Sequence, residues 1–223
     1  MNMRLKLLAV ATAMLLGMSP ALVLGDDHGG DNHGGLSGQV CDAIIIAARA
    51  DVPNQPAGAT FFRAGVSGAQ PKYHYACVDR GGKIVRFSSD ADAWEGSRDV
   101  AKAKAFTAMA FSSNENALTT RTIFCATQPG GPLWDLGTTN QAGAPKSLGS
   151  INQLGIIEFP GGVPIYIGGK LVGGFGVSGD SIELDERTAL AGTAAYGADV
   201  AIKSSTVLGV SYQLSDFGGK CFK

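Results

Sequence analysis

Histidines are the side chains best suited to acid–base or metal chemistry in this sequence, which contains three. His28 and His33 lie in the tract DDHGGDNHGG, residues 26–35, together with three acids and four glycines. Such a tract can hold a divalent metal loosely. We favour the simpler interpretation of a disordered leader, because no apolar residue anchors the tract. His74, in YHYACVD, lies in a strand-like run, where a lone histidine is more often structural than a metal ligand.

The cysteines and histidines form no recognised catalytic pattern. No histidine accompanies a serine elbow, and no CxxC or CxxCH motif predicts a redox dithiol or covalently attached heme. An even number of cysteines in an exported chain favours two disulfides, with three possible connectivities. Of these we favour Cys41–Cys77 and Cys125–Cys221.

The stretch GGVPIYIGGKLVGGFGVSGDSIELDE, Gly161–Glu186, predicts a hairpin, a glycine-rich loop and a helix start. Its strands are Val163–Ile167 and Lys170–Val177, and the glycine pair between them suits a tight turn with positive φ. Ser181 or Asp180 can cap the helix that follows. A glycine-rich loop before a helix can cradle an anion. The order of its residues matches no known phosphate or dinucleotide motif, so we favour a structural turn.

The N-terminus predicts export. Arg4 and Lys6 precede an apolar run from Leu7 to Leu16, which has the length of a secretory signal and is too short for a membrane anchor. Cleavage after Ala21 or Gly25 would leave a small residue at the end of the signal, and we favour Gly25. The mature protein is expected in the periplasm or outside the cell, without a membrane span.

Composition excludes one class of partner. Removing residues 1–25 takes away two positive charges and changes the formal net charge from -1 to -3. A weakly acidic chain with scattered lysines has no electrostatic footprint for nucleic acid.

The sequence divides into a signal peptide (1–25), a Gly/His/Asp leader (26–35), one domain (36–198) and a C-terminal extension (199–223).

The domain has an α+β pattern. Helical spacing and caps predict helices over Leu36–Ala50, capped by Ser37, and Arg98–Phe111, capped by Ser97, and a third ending near Ala198. Three consecutive isoleucines, Ile44–Ile46, also permit a strand within the first of these segments. A second hairpin joins Tyr73–Asp79 to Lys83–Phe87. The remaining predictions are a short strand over Gly155–Phe159, an extra edge strand over Thr206–Leu214, and long loops over Asp51–Lys72 and Ser112–Gly155.

Three stretches in this order resemble the GlcG/HbpS-like heme-binding family, which also occurs as the C-terminal module of some corrinoid adenosyltransferases. They are ACVDRGGKIVRFSSD, GSRDVAKAKAFTAMAF and FPGGVPIYIGGKLVGGFGVSGDSIELDE. They match the family's VVD-x-G-G hairpin, its KA-x-TA helix, and its GG-x-P-I and G-V-S-G motifs. The resemblance implies a profilin-like fold, a five-stranded antiparallel sheet flanked by helices, with long loop insertions in this chain. It also implies an oligomer.

The resemblance further implies a noncovalent heme, or a related tetrapyrrole, bound between helix and sheet or between subunits. Thr107 occupies the threonine of the KA-x-TA motif and is the iron ligand that the family pattern suggests, although such a hydroxyl also commonly bonds to its own helix. His74 is chemically the better ligand for iron, without a matching motif. The expected propionate contacts are Arg98 and Lys104, and Tyr166 and Phe175 are expected to line an apolar wall.

Three functions follow as hypotheses. The first is an exported heme-binding or heme-sensing protein, most simply without turnover. The second is an enzyme that degrades heme or acts on a small oxidised metabolite. The third is a structural module whose homo-oligomer recognises another exported protein, a role that the long loop and Trp134 would suit.

Overall fold

The structure, a computed structural model, describes residues 35–55, 69–129, 131–133, 154–198, 204–207 and 210–213. The predicted signal peptide and residues 26–34 of the predicted leader lie outside the described residues, as do Trp134 and Cys221. Among the described residues, no helix combines the length and apolar character needed to cross a membrane.

Helix α1 (Gly38–Asp51) begins where its sequence predicts. The Ser37 Oγ accepts a hydrogen bond from the Val40 amide at 3.2 Å, which satisfies one of the free N–H groups at the helix start. The isoleucine run is helical and divides between two environments. Ile44 and Ile45 are buried, whereas Ile46 is 68% exposed. The helix therefore packs one face on the sheet and leaves the opposite face to solvent.

The main sheet has four strands: β1 (His74–Asp79), β2 (Ile84–Ser89), β3 (Gly162–Ile167) and β4 (Lys170–Ser178). Their order is β2-β1-β4-β3, and all neighbours pair antiparallel. Both predicted hairpins are confirmed, and the Gly168-Gly169 turn has the positive φ values that only glycine adopts easily, 56° and 74°. The predicted fifth strand is not confirmed, because the described sheet contains four.

Side chains of strand β1 alternate between its two faces, and all six residues are buried because both faces are covered. Tyr75 and Cys77 pack in a core with α1 and with α4 (Ile182–Gly192). Ala76 and Val78 face the opposite layer, formed by α2 (Arg98–Ala110). A central strand between two helical layers is the arrangement in which alternation sorts residues between two cores rather than between core and water.

Helix α2 approaches β4 so closely that the strand carries glycines there. A Cβ added at Gly174 would overlap the Ala105 carbonyl, and one at Gly176 would overlap the Ala101 carbonyl. The cap of α2 differs from the prediction. Ser97 lies at the N-cap position of α2, but its side chain makes no capping hydrogen bond, since the chain enters α2 from a 3-10 turn at Glu95–Ser97.

Four expectations for connecting segments were wrong. The long loop contains a helix, α3 (Thr120–Ala126), capped by the Thr119 hydroxyl, which accepts from the Thr122 amide. Residues 155–159 form no strand. Helix α4 ends at Gly192, before a 3-10 turn at Ala194–Tyr196. In the tail, β5 (Ser204–Val207) and β6 (Val210–Gln213) pair with each other in a separate two-stranded sheet and add no edge strand to the main one.

Candidate ligand-binding site

His74 is a fully engaged interior residue. Its Nε2 lies 2.9 Å from the Trp94 carbonyl and its Nδ1 lies 2.7 Å from the Ser89 hydroxyl. A carbonyl only accepts, so the network assigns the proton to Nε2 and leaves Nδ1 to accept from Ser89. The ring stacks on Phe87 with centroids 5.9 Å apart and is 1% exposed. His74, predicted as an iron or metal ligand, offers no free ring nitrogen in this arrangement.

Thr107 is equally occupied. Its hydroxyl donates to the Ala103 carbonyl at 2.8 Å and accepts from the Ile157 amide at 3.0 Å, and the residue has no exposed surface. The bond from Ile157 explains why residues 155–159 form no strand, because that amide is used by a side chain. Ile156 and Ile157 are buried over this part of α2. The hydroxyl therefore ties a covering segment to α2.

Lys104 forms a buried ion pair rather than facing a ligand. Its Nζ lies 2.6 Å from an Asp185 carboxylate oxygen and donates to the Val177 carbonyl at 3.1 Å. The other Asp185 oxygen accepts from the amides of Gly179 and Asp180. Burial raises the pKa of Asp185 to about 6 against the opposing attraction of Lys104, and burial also lowers the pKa of Lys104. The pair ties α2 to the start of α4. The propionate contact predicted for Lys104 stays a prediction.

A second buried pair was missed in the sequence. The Arg121 Nε donates to a Glu186 carboxylate oxygen at 3.0 Å, and Glu186 has no exposed surface. Arg121 lies on α3, in the stretch interpreted as a loop. The threonine cap before TRTIFCA was the signal that could have placed it on a helix.

The remaining predicted residues lie in three different places. Arg98 is paired with Glu95, and its guanidinium lies 5.5 Å from the centroid of Phe87. Tyr166 donates from its hydroxyl to the Ser113 carbonyl at 2.7 Å, and burial raises its pKa to about 12. Phe175 is fully buried in the core beneath α1 and α4. The six predicted residues therefore do not converge on one cavity, and their contacts with a ligand stay predictions.

The cysteines divide into two environments. Cys41 and Cys77 are both free and buried. Burial raises the pKa of Cys77 well above its usual value, and a hydrogen bond with Cys41 raises it further. Cys125 is disulfide-bonded, and Cys221 lies outside the described residues. The predicted Cys41–Cys77 disulfide is therefore not formed in the structure, although the two thiols are neighbours, whereas the Cys125–Cys221 pairing stays a prediction.

A cleft of about 420 Å³ lies at one end of the main sheet, and none of the six predicted residues is part of its lining. Tyr166 lies behind it and packs against the lining residue Leu171. Its lining combines backbone, apolar and cationic groups: Gly35, Arg80, Asn114, Ile167, Lys170, Leu171 and Val172. Over the described ranges, no three His, Cys, Asp or Glu residues group in a way that could hold a metal ion. The cleft is therefore a concave surface with apolar and cationic lining, a combination that can accept an organic ligand.

Known proteins share this fold. A curated relative, an uncharacterized 15.0 kDa protein in the dhaT-dhaS intergenic region of Citrobacter freundii, is 32% identical over 115 residues, covering 52% of this chain and 69% of the relative. The Klebsiella pneumoniae protein ORFY superposes with a TM-score of 0.53 at 23% identity, covering 71% of this chain and 88% of ORFY. A PduOC:heme complex superposes with a TM-score of 0.53 at 24% identity, covering 74% of this chain and 96% of PduOC.

The family model described as "Haem degrading protein HbpS-like" matches residues 59–194, more than half of the chain. That range contains β1 to β4, α2, α3 and α4, and so includes both helical layers of the main sheet except α1. The chain belongs to the HbpS-like family.

Proposed function

We propose that this protein binds heme, or a closely related tetrapyrrole, noncovalently. The observation that carries the proposal is family membership over residues 59–194, in a family described by its action on heme. A solved protein of the same fold was crystallised as a heme complex, which supports the proposal as an analogy between folds.

The residues predicted as iron ligands do not fit that role in this conformation. Both nitrogens of His74 have partners, and the Thr107 hydroxyl both donates and accepts. A ligand could reach Thr107 only after the Ile157 amide had left it and the apolar covering segment had moved. We therefore assign no axial ligand from this geometry, and the proposal concerns binding rather than a step on the iron.

Export is part of the proposal. The basic start at Arg4 and Lys6, followed by the apolar run from Leu7 to Leu16, supports secretion of the mature chain to the periplasm or cell exterior. Comparing the N-terminal residue and mass of the protein recovered from whole cells with those of the full chain tests this directly. Recovery of the intact residues 1–25 in the cytoplasm would contradict it.

The test of binding is a hemin titration of the mature protein followed by absorbance. We expect a saturable Soret shift at one heme per chain or per dimer. His74→Gln and Thr107→Val are titrated in parallel, with Thr107→Ser as the control that keeps a hydroxyl. A variant that loses the shift while keeping its circular dichroism identifies the ligand. A featureless titration of the parent protein would reject heme binding.

The family description favours heme degradation as a second function. Its test is incubation of the heme-loaded protein with ascorbate in air, with catalase present to remove free peroxide. Loss of the Soret band with release of iron would support turnover. A stable Soret band under the same conditions would leave the protein a binder without turnover.

A further inference from the structure

The cleft owes its position to the pairing of β1 with β4. These central strands run antiparallel with Asp79 opposite Gly173, so the end of β1 lies beside the start of β4. The turn after β1 and the Gly168-Gly169 turn before β4 therefore meet at the same end of the sheet. Arg80 follows β1 directly and Lys170 is the first residue of β4. Two cations distant in sequence thus line one cleft.

The floor of the cleft is apolar. Val172 is buried in the core beneath α1, whereas Ile167 at the rim is 38% exposed. Leu171, the next residue back along β4, is buried on the opposite face of the sheet, beside Tyr166. Gly35 crosses this floor with φ of 95°, and a Cβ there would lie 3.3 Å from a Val172 methyl group. The chain entering α1 can therefore pass close above Val172, and it forms one wall of the cleft. An exposed isoleucine beside a buried floor offers contact to an apolar ligand.

The polar groups of the lining are donors. Within the described ranges, neither the Arg80 guanidinium nor the Lys170 ammonium group forms an ion pair or a hydrogen bond. The Asn114 side-chain oxygen accepts from the Leu171 amide at 2.9 Å, which leaves the NH2 group of Asn114 to donate to a ligand. No carboxylate lines the cleft. A concave site whose polar side chains can only donate hydrogen bonds to a ligand favours the binding of anions.

Two acids adjoin lining residues in sequence but do not line the cleft themselves. One oxygen of Asp79 accepts from the amides of Gly81 and Lys83 at 2.8 and 2.9 Å, inside the turn. Glu115, next to Asn114, accepts from the Ser113 hydroxyl at 2.9 Å and lies outside the lining. Within the described ranges, neither carboxylate forms an ion pair with Arg80 or Lys170, so both cations can pair with a ligand.

We propose that this cleft binds an amphiphilic organic anion. The carboxylate of the ligand contacts Arg80, Lys170 and the Asn114 amide, and its apolar body lies against Ile167 and Val172. This chemistry has two sources, a tetrapyrrole with its propionates or an aliphatic carboxylic acid. It needs no iron ligand, so the assignment does not depend on heme binding at Thr107. A volume of about 420 Å³ lies within the usual range for small-molecule sites.

The experiment uses the mature protein with two probes, iron-free protoporphyrin IX followed by fluorescence and dodecanoate followed by calorimetry. The double variant Arg80→Gln/Lys170→Gln is expected to weaken binding about tenfold or more, because two charge-assisted contacts are lost. Lys83→Gln is the matched control, since Lys83 is an exposed cation on the same hairpin that does not line the cleft. Its affinity should stay within about twofold of the parent value.

The outcomes separate this proposal from heme binding. Binding of protoporphyrin alone supports the cleft as a tetrapyrrole site, and binding of both probes supports a general site for amphiphilic acids, provided the double variant weakens either. Failure of both probes, or equal affinity in the double variant, overturns the assignment. Hemin binding that the double variant does not change would keep the proposed function and reject the cleft as the tetrapyrrole site. Probe binding that the double variant weakens, without a Soret shift on adding hemin, would keep the cleft and reject heme binding.

Discussion

Lys104 and Lys170 are both cations beside the same sheet, yet their environments are opposite. Lys104 is buried on α2 and held by Asp185 and the Val177 carbonyl, as His74 and Thr107 nearby are held by their own partners. Lys170 lines the cleft at the end of the main sheet, where no described residue forms an ion pair with it. The difference teaches that residue type suggests what chemistry is possible, whereas unoccupied hydrogen-bonding capacity decides where a ligand can bind.

The largest effect is expected at the buried pair. Lys104→Met removes the partner of a fully buried carboxylate, which should lower the free energy of unfolding by about 3–5 kcal/mol in urea denaturation. Lys102→Met is the matched control, because Lys102 on the same helix pairs with an Asp99 side chain that is 89% exposed. The control should cost less than about 1 kcal/mol. Equal losses in the two variants would contradict the structural role of Lys104.

The same variant has a predicted pH dependence. Burial already raises the pKa of Asp185 to about 6, and Lys104 opposes that rise. Without Lys104 the pKa of folded Asp185 rises further above its unfolded value, so the folded state holds a proton that the unfolded state releases. Stability of Lys104→Met should therefore fall as the pH rises from 5 to 8. Urea denaturation at both values measures this fall, and a stability that increases with pH would contradict it.

An intermediate effect is expected at Thr107. Thr107→Val keeps the shape of the side chain but leaves the Ile157 amide without an acceptor, at a cost of about 1–3 kcal/mol. Hydrogen exchange at the Ile157 amide should accelerate in the same variant. Thr107→Ser keeps the hydroxyl and should preserve slow exchange. Unchanged protection in Thr107→Val would show that the covering segment is held by other contacts.

The smallest effect is expected at the cleft. Arg80→Gln/Lys170→Gln removes two cations that stabilise no described partner, so the free energy of unfolding should change by no more than about 0.5 kcal/mol. Thermal and urea denaturation of the double variant measure this directly. A loss comparable to that of Thr107→Val would make the cations structural and would remove the contrast between the two regions.

Local patterns predicted most regular elements well. The glycine pair located the β3–β4 hairpin, and Ser37 and Ser181 cap α1 and α4 as proposed. Residues 155–159 were misassigned because an apolar run carries the same β signal whether its amides bond to a strand or, as for Ile157, to a side chain. Helix α3 was missed because its threonine cap lies inside a long glycine- and proline-rich stretch.

The sequence by itself determined the antiparallel hairpins, the helices that flank them and the membership suggested by their motifs, since these depend on residues close together along the chain. Only the tertiary structure decided which polar groups remain available. The partners of Lys104 and Thr107 lie 81 and 50 positions away, whereas Arg80 and Lys170 meet at one cleft without a partner. Such long-range pairing is set by packing of the two helical layers on the sheet, and residue type alone does not encode it.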